Sequence, residues 1–176
     1  MTVRLAVPAD AAALAEVAAV TFPLACPPTT TEAATRDFIA TNLSAPRFLE
    51  YIGDPERVIL VDDPGDGSPL RGYTMLVLTE TSDPDVRQAI RIRPTSELSK
   101  CYVRADDHGR GTAAALLART LDEARARGAA GMWLGTNIAN ARAIRFYEKH
   151  GFAQVGSKRF RLGDEYEHDH VLEIAL

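Results

Sequence analysis

Hydrophobic and polar positions along this chain recur with two periods, and the switches between them divide it into elements. Val3 to Val7 alternates with a period of two, which predicts a short strand. From Asp10 to about Val20 the period lengthens. Leu14, Val17 and Ala18 fall on one side of an alanine-rich helix that Asp10 is placed to cap. Thr21 to Pro28 (TFPLACPP) holds three prolines, which lack the N–H that a helix interior needs, so the helix is expected to break there. Thr31 caps a second predicted helix, about Glu32 to Leu43, and Pro46 to Tyr51 adds a short helical turn.

Arg57 to Val61 and Leu70 to Thr79 read as two strands. They flank DDPGDGSP (Asp62 to Pro69), where Gly65 and Gly67 are free to take positive φ. Glu80 to Thr95 is a polar connector, helical around Val86 to Ile90. Glu97 to Val103 is the next strand, Gly109 to Arg127 the longest helix, and Met132 to Gly135 a buried strand. Ala141 to His150 is a helix stopped by Gly151. Ala153 to Leu162, a Gly163-Asp164 turn and His168 to Leu176 form a closing hairpin. This order predicts an α/β (α+β) domain around a mixed sheet, one domain spanning residues 1–176. It fits several families and names no function by itself.

Composition narrows the function classes. With 46% hydrophobic and 25% charged residues the chain is ordinary for a soluble globular protein. Its net charge of −4 offers no basic stripe for nucleic acid and suits a cationic partner slightly better than an anionic one. Two cysteines, Cys26 and Cys101, make no disulfide framework, and no Cys/His cluster suggests a metal. The N-terminus does not read as a signal peptide, and no apolar stretch is expected to span a bilayer. The expectation is a cytoplasmic protein, with a homodimer admitted.

Candidate chemistry concentrates between Val103 and Leu117. A strand ends at Val103, a polar loop follows, and then His108-Gly109-Arg110-Gly111-Thr112-Ala113 opens a helix with Leu116, Leu117, Leu121 and Ala124 along one stripe. A helix N-terminus presents unpaired N–H groups and partial positive charge to an anion. Gly109, Gly111 and Ala113 would let a pyrophosphate approach the backbone, and Arg110 adds charge beside it. Neither the dinucleotide fingerprint GxGxxG nor the P-loop GxxxxGK[ST] is present.

This segment resembles motif A of the GNAT superfamily of N-acetyltransferases, Gln/Arg-x-x-Gly-x-Gly/Ala, as His108-x-x-Gly111-x-Ala113, with His108 departing from the pattern. Asn140 to Phe152 (NARAIRFYEKHGF) is similar to the family's motif B. The closing hairpin resembles that of bacterial spermidine/spermine-type N-acetyltransferases, through Phe160, Gly163, Asp164, Glu165 and Asp169. The resemblance spans nearly the whole chain, although Thr21 to Ser96 matches only by its pattern of elements. It implies the GNAT fold, with a mixed, mostly antiparallel central sheet and helices on both faces.

The same resemblance implies acetyl-CoA (coenzyme A) as acyl donor and a primary amine as acceptor, a small amine, a polyamine or a protein amine. Glu97 would be the general base, with Glu80 next in line, and Tyr147 the general acid near the sulfur of coenzyme A. Alternation places Glu97, Ser99, Cys101 and Val103 on one strand face. Cys101, Tyr102 and Val103, reached through Lys100, would offer backbone groups to the pantetheine, and His108 to Ala113 would cradle the pyrophosphate. Asn140, Ala143 and Tyr147 share a helix face, with Asn140 a hydrogen-bonding group or simply an N-cap. Cys101 reads better as a small strand residue than as a nucleophile, and Trp133 as core. The carboxylates and histidines of Asp164 to His170 read either as an anionic rim for an amine or as a solvated turn. A binding module that has lost catalysis is the rival reading, and the presence of both Glu97 and Tyr147 counts against it.

Overall fold

The computed structural model describes residues 2–163 and 165–176, without the side chains of Phe160 and Leu162. Seven strands form one sheet: β1 (Thr2–Leu5), β2 (Arg57–Asp63), β3 (Gly72–Val77), β4 (Thr95–Val103), β5 (Gly131–Asn137), β6 (Ala153–Leu162) and β7 (Glu165–Ala175). Their order is β1-β2-β3-β4-β5-β7-β6. β4 and β5 run parallel, and the remaining neighbours pair antiparallel. The helices are α1 (Ala11–Ala25), α2 (Glu32–Asn42), α3 (Ala45–Gly53), α4 (Pro84–Ala89), α5 (Thr112–Ala126) and α6 (Ala141–Lys149).

The two largest apolar clusters among the described residues lie on opposite faces of the sheet. Leu14, Val17 and Phe22 of α1 and Phe48 of α3 meet Ile59, Tyr73 and Met75 on one face, with Phe38 of α2 packed against them. Leu117 and Ala124 of α5 and Tyr147 of α6 meet Leu76, Leu98, Met132 and Leu134 on the other. The architecture expected from the sequence is therefore present, with differences at the element ends.

The first difference is in α1, which does not break at Thr21. It carries Pro23 inside its last turn and stops at Cys26, whose backbone is extended (φ −73°, ψ 142°). A proline near a helix end forfeits one hydrogen bond, whereas the residue before a proline is pushed out of the helical region, so Pro27 sets the end. Asp10 makes no side-chain cap on α1. Its carboxylate folds back onto the Val7 N–H at 2.8 Å and the Arg4 guanidinium at 2.7 Å. Pro8–Ala25 also proves long and apolar enough to cross a membrane by length and composition, contrary to expectation, because its alanines raise the mean hydropathy to 1.2. In the fold it is core-packed, with Leu14, Val17 and Ala18 fully buried.

The second difference is in β4. Met75 lies opposite Lys100 and Leu76 opposite Leu98, so Ser99 is an extra residue, a β-bulge. An extra residue inverts the facing of everything beyond it. Leu98 and Cys101 consequently pack on the same side, against Leu117 and Tyr147. Glu97 therefore does not share a face with Cys101 and Val103. It sits on the other side of the sheet, where Tyr102 packs against Phe22 and Tyr73.

Candidate functional site

β4 and β5 begin as neighbours and then part. Their ladder covers Thr95–Glu97 against Gly131–Trp133, yet β4 continues to Val103 and β5 to Asn137. β5 spends the rest of its pairing on β7, from Leu134 against Leu172 to Asn137 against Asp169. Beyond Glu97, the β5-facing edge of β4 therefore presents backbone groups with no strand opposite, a template for an added extended chain. A cavity of about 650 Å³ fills the gap and is lined by residues from both faces of the sheet.

On the α5/α6 side the cavity is lined by small residues and backbone. Gly109 and Gly111 have φ of 77° and 87°, a region that side chains with a Cβ avoid, and a Cβ at either position would meet open space. These turns delay the helix, so α5 starts at Thr112 and not at Gly109. Thr112 is 1% exposed, and its hydroxyl has no hydrogen-bond partner among the described residues. The open cradle, the orphaned hydroxyl and the first turn of α5 together fit a phosphate group. Arg110 is exposed beside the loop, outside the cavity lining.

His108 is a strut. Its Nε2 lies 2.9 Å from the Val103 carbonyl, while Arg142 Nη1 of α6 lies 2.8 Å from Nδ1. Both contacts are met when Nε2 carries the proton and Nδ1 accepts from Arg142. The side chain thus ties the end of β4, the loop and α6 together, and it brings an exposed guanidinium over the loop that the sequence did not mark.

Asn140 caps α6, accepting the Ala143 N–H on Oδ1 at 3.1 Å, and both residues line the cavity. One turn on, Tyr147 is 9% exposed and its phenol meets the Cys101 thiol. Burial holds the phenol well above its ordinary pKa, so it keeps its proton. Burial also pushes the Cys101 thiol up to about 11, which makes it a poor nucleophile at neutral pH.

The opposite side is charged. Glu97 lines the cavity, and burial raises its carboxyl against the pull of Lys158, Lys100 and Arg57, with Asp83 adding to the rise. Lys100 lies on the same face, lowered to about 8 because burial outweighs the attraction of Glu97. Lys158 of β6 faces Asp169 of β7 across the ladder. Both lie over Gly135, where a Cβ would come 2.6 Å from Lys158 Cε and 3.3 Å from Asp169 Oδ2. Burial raises the Asp169 carboxyl, and Lys158 opposes the rise. Glu167 and Asp169 line the cavity, whereas Glu165 is exposed and Phe160 and Asp164 lie outside the described features. Cys26, Thr21, Phe22 and Phe38 close this side.

The gap thus brings together Glu97, Cys101, Tyr102, Val103, His108, Gly109, Gly111, Thr112, Ala113, Asn140, Ala143 and Tyr147. Glu80 is left out: it is exposed and holds Arg93 at 2.6 Å. Trp133 is core, 3% exposed. Sequence reasoning gave Lys100 no side-chain role and missed Lys158, Gly135 and Arg142 altogether. A lysine three residues after Glu97 on the same strand was the available signal for the first.

The acetyltransferase (GNAT) family profile matches residues 26–152. Proteins of Mycobacterium tuberculosis and Mycobacterium bovis, each described as an uncharacterized N-acetyltransferase, are 45% identical to this chain over 163 residues, 93% of it and 96% of their own length. Among solved structures, the PaiA N-acetyltransferase of Thermoplasma acidophilum in complex with coenzyme A is similar, with a TM-score of 0.77 over 100% of both chains at 18% identity. The ribosomal-protein-alanine N-acetyltransferase of Brucella melitensis follows at 0.69 over 100% of both chains and 22% identity. The structural likenesses speak for the fold, and the profile and the mycobacterial relatives for the lineage: this chain belongs to the acetyltransferase (GNAT) family.

Proposed function

We propose that the protein transfers an acetyl group from acetyl-CoA to a small primary amine by direct attack, with both substrates bound at once. The observation that carries this reading is the parting of β4 and β5, a slot lined by backbone groups that joins a phosphate cradle on one face to a carboxylate on the other. The pantetheine arm would lie along the free edge of β4 from Cys101 to Val103. The pyrophosphate would rest on residues 109–113 and the first turn of α5, with Arg142 adding charge beside it.

An ammonium has no lone pair with which to attack, so a base must take its proton. Glu97 has that role: its raised pKa brings it closer to neutrality, where a carboxylate is a better base. Tyr147 is on the donor side and holds its proton, which suits it to protonate the departing thiolate. Cys101 would pack against the phenol and keep it oriented. Glu167 and Asp169 would draw the acceptor's ammonium into the slot. They are the part of the closing hairpin that supports a polyamine acceptor, and spermidine belongs in any panel of trial acceptors.

The experiment is a coupled assay of coenzyme A release from acetyl-CoA over amines and peptides, run with the parent and Tyr147→Phe. The expected result is amine-dependent release by the parent, roughly a hundredfold slower in the variant, with acetyl-CoA affinity unchanged. Equal turnover would remove Tyr147 from the mechanism. Tight donor binding with no release for any amine would identify a binding module.

A further inference from the structure

The acceptor side of the cavity has a charge arrangement that a simple cationic amine does not use. Glu97 is surrounded by cations: Lys158 from β6, Lys100 from its own strand and Arg57 from β2, with Asp83 the like charge among the groups acting on it. Arg57 is engaged by Asp54 at 3.1 Å. Lys158 lies against Asp169 across the ladder and over Gly135. Lys100 differs from both. It lines the cavity half-buried, and among the described residues it makes no hydrogen bond and no ion pair; Glu97 attracts it from beyond contact distance.

If Glu97 is the base, it takes a proton during turnover and ceases to balance Lys100. A partly buried ammonium would then have no counter-charge, which is unfavourable. An acceptor carrying its own anion resolves this. With its ammonium toward Glu97 and Asp169 and its anion toward Lys100, the site stays balanced both before and after the proton moves. A polyamine would instead bring a second cation toward Lys100, Lys158 and Arg57.

Building on the acetyl-transfer reading, we propose that the acceptor is an amino carboxylate, an amino acid or a close relative, and that Lys100 binds its carboxylate. The bulge at Ser99 is what makes this geometry available, because it returns Lys100 to the face of Glu97 three residues later. Lys100 is a substrate-binding residue in this account and takes no part in the proton transfers.

The test pairs α-amino acids with the amides and the decarboxylated amines of the same side chains, adds spermidine, and follows coenzyme A release with the parent, Lys100→Met and Lys100→Arg. The parent is expected to favour carboxylate-bearing members by roughly tenfold or more in kcat/KM. Lys100→Met should abolish that preference and leave acetyl-CoA affinity unchanged. Losing its pull on Glu97 would shift the acid limb for every acceptor alike, so the ratio between each carboxylate and its decarboxylated partner is what decides. Lys100→Arg should restore most of the preference. A parent that favours spermidine or decarboxylated amines overturns the proposal, as does a Lys100→Met loss shared equally by all acceptors. Should Lys100→Met fail to fold, as judged by melting and acetyl-CoA binding, the parent's preference and Lys100→Arg decide. Calorimetric binding of N-acetylated amino acids to the parent needs no turnover. Such binding without release for any amine would sink the acetyl-transfer reading and keep the carboxylate site, and release without such a preference would do the reverse.

Discussion

The two sides of the slot are built from different materials. On the α5/α6 side the working parts are backbone groups, two glycines with positive φ, a helix start and one protonated phenol. On the α1/β6/β7 side they are charged side chains from β4, β6 and β7, and burial shifts the pKa values of Glu97, Lys100 and Asp169 among them. A side made of backbone is insensitive to most substitutions except those that fill its glycines. A side made of charges can be retuned by one residue. The donor should therefore be held by features any relative can keep, and the acceptor chosen by features that drift easily.

That contrast can be broken most sharply at Glu97. Glu97→Gln should lower kcat about 10²- to 10⁴-fold with acetyl-CoA affinity intact. A matching loss of donor affinity would place Glu97 on the wrong side of the slot. Next in size is Gly111→Val. The left-handed backbone at φ 87° disfavours a branched side chain by about 1–2 kcal/mol, so acetyl-CoA should bind roughly tenfold more weakly while the acceptor preference stays as it was. Calorimetry with acetyl-CoA measures the first quantity and the acceptor panel the second.

The pH profile sharpens the same division. As the proposed base, Glu97 would work deprotonated, and burial raises its pKa, so activity should fall as the pH drops through a value above the ordinary carboxylate range. Lys158, Lys100 and Arg57 pull that limb back toward acid and Asp83 pushes it up. Lys100 binds an anion only when protonated, and burial lowers it to about 8 against the pull of Glu97, with Arg57 lowering it further. The KM of a carboxylate-bearing acceptor should therefore rise with pH through about 8, and the KM of its decarboxylated partner should not. Gly135→Ala is the mildest probe. Its Cβ would displace the flexible end of Lys158, which should change the acceptor KM a few-fold and leave donor affinity alone.

The donor side was legible in the sequence because local signals specify it. His108 to Ala113 and Asn140 to Phe152 are short contiguous runs whose glycines, cap and helix face can be read locally, and their resemblance to motifs A and B is what tied them to coenzyme A. The acceptor side was not legible, for two physical reasons. The bulge at Ser99 inverts the facing of the strand, so simple alternation put Glu97 with Cys101 when it belongs with Lys100 and Tyr102. The register of the β6–β7 hairpin then sets Lys158 opposite Asp169, and the β5–β7 ladder brings Gly135 of β5 beneath them, a register that the hairpin pattern alone does not specify. The end of α1 failed in a milder way, since three prolines marked a break but the one inside the last turn was tolerated and Pro27 made the stop.

The central claim is that the free edge of β4 receives the donor like an added strand. Amide hydrogen exchange with and without acetyl-CoA tests it directly. The account predicts new protection among Leu98 to Val103 and Gly109 to Ala113, with β2 and β3 unchanged. Tight acetyl-CoA binding that leaves Leu98 to Val103 exchanging as before would contradict it.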